Sequence, residues 1–274
     1  MNIKKLLALI FGFIMGLSYT STLFAGETHA KTVVDFLNEN TLLKNANISV
    51  TGSTSFYSKY VWRGIRLDDD YVLQPSLTVN AFNGWSLNVW GNYDLDNSTD
   101  ALNSNETDTT LTYTKKFEGL HLFGHELKPI GVTVGHIYYD FPGTNTFAKE
   151  SVLGFSYDTF LSPTLTWFHD YSRESQGGGD GDYLMLCLSK SLELVKDYGV
   201  TLDLSGHVGY NKRDFILGEG GDVLLTSGLT VPITQNLKFS PTINYSIPFG
   251  AYTDYKNAEK ESEFFWGTTF NYTF

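Results

Sequence analysis

Histidine and serine are the residues whose spacing in this sequence could support hydrolysis. On a β-strand, residues i and i+2 lie on the same face, so a His-x-Ser sequence would place a general base beside a nucleophilic hydroxyl. None of the six histidines has serine at i+2, and the nearest arrangement is His169 with Ser172 at i+3, on the opposite face. The sequence therefore favours a protein that is not an enzyme. A hydrolase that uses a serine from a neighbouring strand is the less favoured alternative.

Two histidines and a glutamate have the chemistry of metal ligands. His121 and His125 are four residues apart, a spacing that suits one face of a helix, and Glu126 adds a carboxylate. No third ligand is near them in the sequence. The single cysteine, Cys187, excludes an internal disulfide and a cysteine-based metal site. We therefore expect neither a metal nor a cofactor.

The overall charge restricts the class of partner. The formal net charge is -11 at pH 7. Proteins that bind nucleic acid gain much of their affinity when basic side chains release counterions from phosphates. This acidic chain lacks that source of affinity, so we do not expect nucleic acid as a partner.

Charged and amide side chains recur on the polar side of an alternating pattern. A charge on the lipid-facing side of a membrane barrel costs about 2–4 kcal/mol at the bilayer midplane, so such residues are expected to face the interior. Acidic and basic types are mixed, which leaves the ion preference open. The residues predicted to line a pore are Lys59, Arg63, Asn88, Asn92, Asp94, Asp108, Asp203, His207, Lys238 and Asn244.

The elements that must position these side chains are strands. From Asn47 onward the hydrophobic period is two, as in the last segment, where Phe264 and Trp266 alternate with Phe265 and Gly267. This pattern predicts an all-β fold, a transmembrane antiparallel up-and-down β-barrel of about twelve strands. The predicted strands are 47–63, 72–82, 84–94, 106–117, 130–141, 149–158, 162–171, 182–191, 198–210, 222–232, 236–248 and 262–274.

A soluble β-sandwich would show the same alternation, and the connections and aromatic residues favour the membrane barrel instead. Every second connection is tight, such as Asn83-Gly84, although 118–129 is an exception. Aromatic side chains, including Tyr60 and Trp62, lie toward strand ends, where membrane interfaces would place them. The other connections are polar and mostly long, at 64–71, 95–105, 142–148, 172–181, 211–221 and 249–261.

The N-terminal region differs from the rest of the chain. Lys4 and Lys5 precede an apolar run of 12 residues, Leu6 to Leu17, which is too short to span a membrane as a helix. We expect a signal peptide at 1–25, a periplasmic segment at 26–46 and the barrel at 47–274. Export of this kind predicts the bacterial outer membrane as the location and its lipid as a partner.

The chain end and the first predicted strand carry a family resemblance. Phe270, Tyr272 and Phe274 resemble the terminal assembly signal of bacterial outer-membrane proteins, which implies a barrel-assembly machinery as a partner. The run Ser58-Lys59-Tyr60-Val61-Trp62-Arg63-Gly64-Ile65 resembles the hallmark of the TorF family of porins. Gln74-Pro75 and Asn83-Gly84-Trp85 resemble the second hairpin of that family, whereas Arg66-Leu67 replace its frequent Ser-Gln.

The resemblance implies an outer-membrane channel and carries over no catalytic residues. The function expected from it and from the strand pattern is passive diffusion of small hydrophilic solutes through a porin-type pore. One alternative is a structural or adhesive barrel with a closed lumen. A second, less favoured alternative is a lipid hydrolase active at the barrel rim.

Overall fold

The alternating segments form paired strands in the computed structural model, which describes residues 48–81, 83–95, 103–172, 179–214, 219–250 and 261–274. A short 3-10 helix, Lys196–Tyr198, precedes β13. In chain order the strands are β1 (Ser49–Tyr57), β2 (Tyr60–Trp62), β3 (Ile65–Asp68), β4 (Val72–Ala81), β5 (Trp85–Asp94), β6 (Asn103–Phe117), β7 (His121–Leu122), β8 (His125–Glu126), β9 (Ile130–Phe141), β10 (Thr146–Tyr157), β11 (Thr164–Asp170), β12 (Asp182–Val195), β13 (Val200–Lys212), β14 (Glu219–Pro232), β15 (Leu237–Gly250) and β16 (Glu263–Thr273).

Twelve of these strands form one closed antiparallel barrel, and β2–β3 and β7–β8 are separate two-stranded hairpins. The barrel closes where β1 pairs with both β4 and β16, for example through Val50 with Val79 and Thr51 with Thr273. The backbone N–H of Phe274 also donates to the carbonyl of Val50 at 2.9 Å. The predicted twelve-strand barrel is confirmed. Phe270 and Tyr272 lie on β16, and their part in assembly stays a prediction.

The barrel presents apolar side chains outward and polar side chains inward. Leu225, Ile243 and Phe264 are 51%, 53% and 57% exposed, on strands whose registers place them on the same outer face. On the other face, small hydroxyls bridge strands, as in Ser53 with Ser76 at 2.8 Å. This distribution is the reverse of a water-soluble barrel, and it suits a protein whose outer wall contacts lipid.

Within the described ranges, none of the helical structure is long and apolar enough to cross a membrane. The predicted signal peptide at 1–25 and segment at 26–46 lie outside the described residues, so both assignments stay predictions.

The prediction that the first strand continues to 63 is wrong. β1 ends at Tyr57, and residues Tyr60–Asp68 form the β2–β3 hairpin, which we call the cap hairpin. Its two-residue turn places both Arg63 (φ 46°) and Gly64 (φ 78°) in the left-handed region, the geometry of a type I′ turn. Lys59 and Arg63 are therefore absent from the barrel wall. Tyr60 and Trp62, expected near a membrane interface, belong to this hairpin.

The long connection 118–129 contains the second small hairpin. Phe123 (φ 51°) and Gly124 (φ 81°) make the turn between β7 and β8, and Phe123 at its tip is 93% exposed. His121 and His125 lie on the two strands of this hairpin rather than on one helical turn. The described residues contain no group of three or more His, Cys, Asp or Glu that could hold a metal ion.

An added charge should lower the free energy of unfolding more on the outer face of the wall than on the inner face. Leu225→Arg should lower the free energy of unfolding by about 2–4 kcal/mol in a lipid bilayer, because the charge would enter hydrocarbon. Ser205, which pairs with Thr226, the residue after Leu225, faces inward and provides the matched control, Ser205→Arg. Urea titration of both variants in vesicles measures the difference. An equal cost for both variants would contradict the assigned faces.

Candidate functional site

The two ends of the barrel differ in what fills them. Ser49 and Thr273 lie at the end where β1 begins and β16 ends, which we call the open end. At the other end, the capped end, β1 stops at Tyr57 opposite Val72, where β4 begins. The cap hairpin leaves the wall between these two residues and enters the barrel interior. Ile65, on its second strand, is buried accordingly.

The base of the cap hairpin is held by one carboxylate. Lys59 Nζ donates to Glu263 Oε2 at 2.5 Å, and Arg66 Nη1 donates to Glu263 Oε1 at 2.8 Å. Glu263 is the first residue of β16 and is itself buried. Both ends of the hairpin are thus tied to the strand that neighbours β1.

The flank of the hairpin contacts β5, β6 and β9. Tyr60 donates to Glu106 Oε2 at 2.9 Å, and its ring lies 5.7 Å from that of Trp90. The rings of Trp62 and Tyr139 are 6.4 Å apart in an edge-to-face arrangement. Burial and then the charge of Glu106 raise the pKa of Tyr60 well above its ordinary value of 10.0. The phenol therefore remains a hydrogen-bond donor at neutral pH.

The tip of the hairpin is anchored by Arg63. Its guanidinium donates to both oxygens of Glu150, at 2.6 and 2.8 Å, and also to Asp214. Glu150 and Asp214 are only 2% and 1% exposed. The rings of Phe168 and Tyr183 each lie 4.5 Å from the guanidinium carbon. We call Glu150, Asp214, Phe168 and Tyr183 the tip site.

Two opposing effects act on the charge of Arg63. Burial disfavours the charged form, but the carboxylates, Glu150 first, outweigh burial and hold the pKa of the guanidinium above its ordinary value. Arg63 is therefore a fixed cation. A non-glycine residue with positive φ costs about 1–3 kcal/mol, so the side-chain contacts of Arg63 must offset the strain of its turn position.

The sheet order shows how far the hairpin reaches. Around the closed barrel, β11 and β12 lie opposite the seam between β1 and β4 from which the hairpin emerges. Phe168 belongs to β11 and Tyr183 to β12. Because Arg63 contacts both residues, the cap hairpin spans the full width of the barrel. It therefore constricts the lumen at the capped end.

A second polar cluster supports the tip site from the wall. Tyr183 donates to Asp222 Oδ1 at 2.7 Å, and His207 Nε2 lies 2.8 Å from Asp222 Oδ2. On the other side, Tyr139 donates to Glu150 Oε2 at 2.9 Å. The ring and the carboxylate that receive Arg63 are thus oriented by residues of the wall itself.

Six of the ten residues predicted to line a pore lie at or near this capped end, among them Asp94, the last residue of β5, which pairs with Val72. Lys59 and Arg63 belong to the cap hairpin assembly, and His207 to the cluster behind it. Asp108 lies two residues from Glu106 on the same face of β6, with one carboxylate oxygen buried and without a hydrogen-bond partner. Asn92 is fully buried and accepts a hydrogen bond from Gln74 at 2.9 Å.

The other four predicted residues lie farther along the inner wall. Asn88 donates to Thr78 at 2.8 Å, and Asn244 accepts from Thr226 at 2.9 Å. Asp203 accepts hydrogen bonds from Ser191, Thr201 and Thr230. Lys238 lies near the open end, opposite Asn271 in the β15–β16 register. Their role in lining a pore stays a prediction.

The sequence reasoning missed the carboxylates that receive the hairpin. Glu106 and Glu150 lie on the polar face of predicted strands, so strand phase alone was a usable signal for both. Asp214 follows the end of β13, where alternation no longer assigns a face. The strand phase of 262–274 also places Glu263 on the inner face. Its two cationic partners, Lys59 and Arg66, could not be predicted, because they reach it through the hairpin, which the strand prediction did not contain.

The contacts of the histidines bear on the hydrolase alternative. In the part of the chain that the structure describes, His169 contacts Asp182, His207 contacts Asp222, and His136 contacts Tyr171 and a backbone carbonyl. None of these contacts involves a serine hydroxyl. The hydrolase alternative therefore gains no geometric support.

Among known proteins, similarity to this chain was found in solved structures. No protein-family model matches the chain, and no curated protein matches it. The NanC porin shares 11% identity with a TM-score of 0.49, over 82% of this chain and 98% of that one. The KdgM porin shares 14% sequence identity with a TM-score of 0.48, over 82% of this chain and 99% of that one. An outer-membrane channel from Pseudomonas putida F1 shares 10% sequence identity with a TM-score of 0.47, over 82% of this chain and 95% of that one.

These three proteins are porins or channels by name, and the likeness is to them as barrels. The closure and strand number of the present barrel follow from its own pairing registers. The TorF resemblance rests on the motif of residues 58–65 and stays a prediction.

The anchoring of the hairpin tip predicts a local effect of Arg63→Ala. Hydrogen bonds to charged groups contribute about 1.5–3 kcal/mol each, so backbone amides of β2 and β3 should exchange at least about tenfold faster. Hydrogen exchange of the folded protein in detergent measures this change. Lys238→Ala, which removes an inner-wall cation far from the hairpin, should leave those amides unchanged. Unaltered protection in Arg63→Ala would contradict the anchoring role.

Proposed function

We propose that this protein is a porin-type channel of the bacterial outer membrane through which small hydrophilic solutes diffuse passively. In this proposal the cap hairpin is the constriction that controls passage. The observation that supports it best is the nature of the plug. A closed barrel with an apolar exterior contains a hairpin held by ion pairs and hydrogen bonds, rather than by a continuous apolar core.

The interior beyond the hairpin suits hydrophilic solutes. Toward the open end the inner wall carries mainly small hydroxyl side chains, and glycines such as Gly154 and Gly228 keep it uncluttered. A cavity of about 280 Å³ there is lined by residues that include Asp203, Thr230 and Ser240. Such a wall offers hydrogen bonds to water and to hydroxylated or charged solutes alike.

The polar attachment of the cap hairpin makes it displaceable. When the hairpin leaves, water can hydrate Glu263, Glu106 and the tip site, whereas exposing an apolar core would have no such compensation. The hairpin also has a geometrically simple hinge, because Tyr57 and Val72 are paired neighbours at its base. Opening therefore requires no break in the barrel wall.

A barrel with a permanently closed lumen is the second candidate function. It is favoured by the anchoring of the hairpin at base, flank and tip, which leaves Glu150 and Glu263 buried in the present conformation. In that case the outer connections would carry a structural or adhesive role. Liposome swelling separates the two candidates, because a closed lumen admits no solute.

The orientation and partners follow from the same proposal. With both chain ends on the periplasmic side, the capped end faces outward, so solutes meet the cap hairpin first. Phe270, Tyr272 and Phe274 would then present an assembly signal to the barrel-assembly machinery from the periplasm. Outer-membrane lipid would surround the exposed apolar wall.

Replacing residues 60–68 by a short Gly–Ser turn tests the channel and its gate together. The variant should give discrete conductance steps in planar bilayers that are several-fold larger than those of the wild type, because the constriction is gone. The matched control replaces β7 and β8 by a Gly–Ser turn in the same way. The turn would join Leu120 to Leu127, whose backbone N–H donates to the carbonyl of Leu120 at 2.7 Å. That control should conduct like the wild type. Absence of steps in both the variant and the wild type would refute the channel.

A further inference from the structure

We propose that the tip site is a recognition site for solutes that carry a guanidinium group, and that Arg63 occupies it as an internal competitor. This inference rests on the proposed channel function and names the class of solute that would displace the cap hairpin. It follows from the chemistry of the four residues that surround Arg63: Glu150, Asp214, Phe168 and Tyr183.

The carboxylate of Glu150 is positioned for a planar cation. Arg63 Nη1 and Nη2 donate to separate oxygens of Glu150, at 2.6 and 2.8 Å. This two-point arrangement matches the fixed fork of a guanidinium, whereas an ammonium is a point charge with no matching plane. Asp214 accepts from the same Nη1 and adds a second negative charge.

The aromatic rings of the wall complete the site. Phe168 and Tyr183 lie 4.5 Å from the guanidinium carbon, within the range of cation–π attraction. Trp62, at 4.4 Å, belongs to the hairpin and would leave with it. The tip site therefore supplies two carboxylates and two rings to any cation that replaces Arg63.

The site is built independently of the hairpin. Tyr139 holds Glu150 through a hydrogen bond of 2.9 Å, and Asp222 holds the hydroxyl of Tyr183 at 2.7 Å. His207 contacts the other oxygen of Asp222. Because these supporting residues all belong to the barrel wall, we expect Glu150 and Tyr183 to keep their positions when Arg63 departs.

The charge balance favours a cationic replacement. Lys59 and Arg66 form ion pairs with Glu263 at the base of the hairpin, and Arg63 forms ion pairs with both Glu150 and Asp214. A buried carboxylate that loses its counter-charge is strongly destabilised. A vacated tip site therefore attracts a cation.

Binding to the Arg63→Ala variant tests the site directly. Calorimetry in detergent should show methylguanidinium binding at least tenfold more tightly than methylammonium, because only the former matches the fork of Glu150. The wild type should bind methylguanidinium more weakly than the variant, since its own Arg63 competes. Arg63→Gln, which removes the charge but retains an amide, serves as a second vacated variant should Arg63→Ala fold poorly.

Two double variants locate the binding. Glu150→Gln added to Arg63→Ala should reduce methylguanidinium affinity at least tenfold, because it removes one charge and half of the fork. Asp197→Asn added to Arg63→Ala is the matched control, because Asp197 lies in the 3-10 helix before β13, outside the tip site, and this change should leave the affinity unchanged. Equal affinity for the two ions, or equal losses in the two double variants, would overturn the proposal.

The same probes separate this proposal from the channel. In planar bilayers, methylguanidinium should increase the open time of the wild type, and methylammonium at the same concentration should not. A protein that conducts but binds both ions equally retains the channel and refutes the guanidinium site. A protein that binds selectively in detergent but never conducts retains the site and refutes the channel.

Discussion

The pairing of β1 with β16 is the constraint on which the rest of the structure depends. In hydrocarbon an unpaired backbone N–H or C=O costs several kcal/mol, so a sheet in lipid must close on itself. Closure joins Thr51 to Thr273 and leaves the barrel wall without a free edge. Once the wall is closed, its outward side chains contact lipid and its inward side chains share an enclosed polar volume.

That enclosed volume explains the unusual balance of buried charge at the capped end. Carboxylates such as Glu106, Glu150 and Glu263 are buried there and need cations or donors. The ten-residue segment 59–68, which is the cap hairpin and the residue before it, supplies Lys59, Arg63, Arg66 and the hydroxyl of Tyr60. The ion pairs and hydrogen bonds of this plug can be replaced by water or by other cations, which distinguishes them from the contacts of an apolar core.

Period-two alternation was sufficient to predict most of the wall. Because one face of each strand must be apolar and the other polar, the positions of Leu225 and Thr226 on opposite faces follow from sequence phase alone. The same logic failed beyond Tyr57, where Tyr60 and Trp62 continue the alternation but pair with β3 inside the barrel. Within the connection 118–129, alternation did not reveal the β7–β8 hairpin, since so short a hairpin has too few residues to establish a period.

Local residue types and their spacing are sufficient to predict the strand number, the two faces of the wall and the motif of residues 58–65. The position of that motif in the fold depends instead on long-range contacts. Arg63 contacts Glu150, Phe168, Tyr183 and Asp214. In sequence, its hydrogen-bond partners Glu150 and Asp214 are 87 and 151 residues away. Such contacts depend on the circumference of the closed barrel and on the length of the hairpin that crosses it, and neither quantity is encoded in the local pattern.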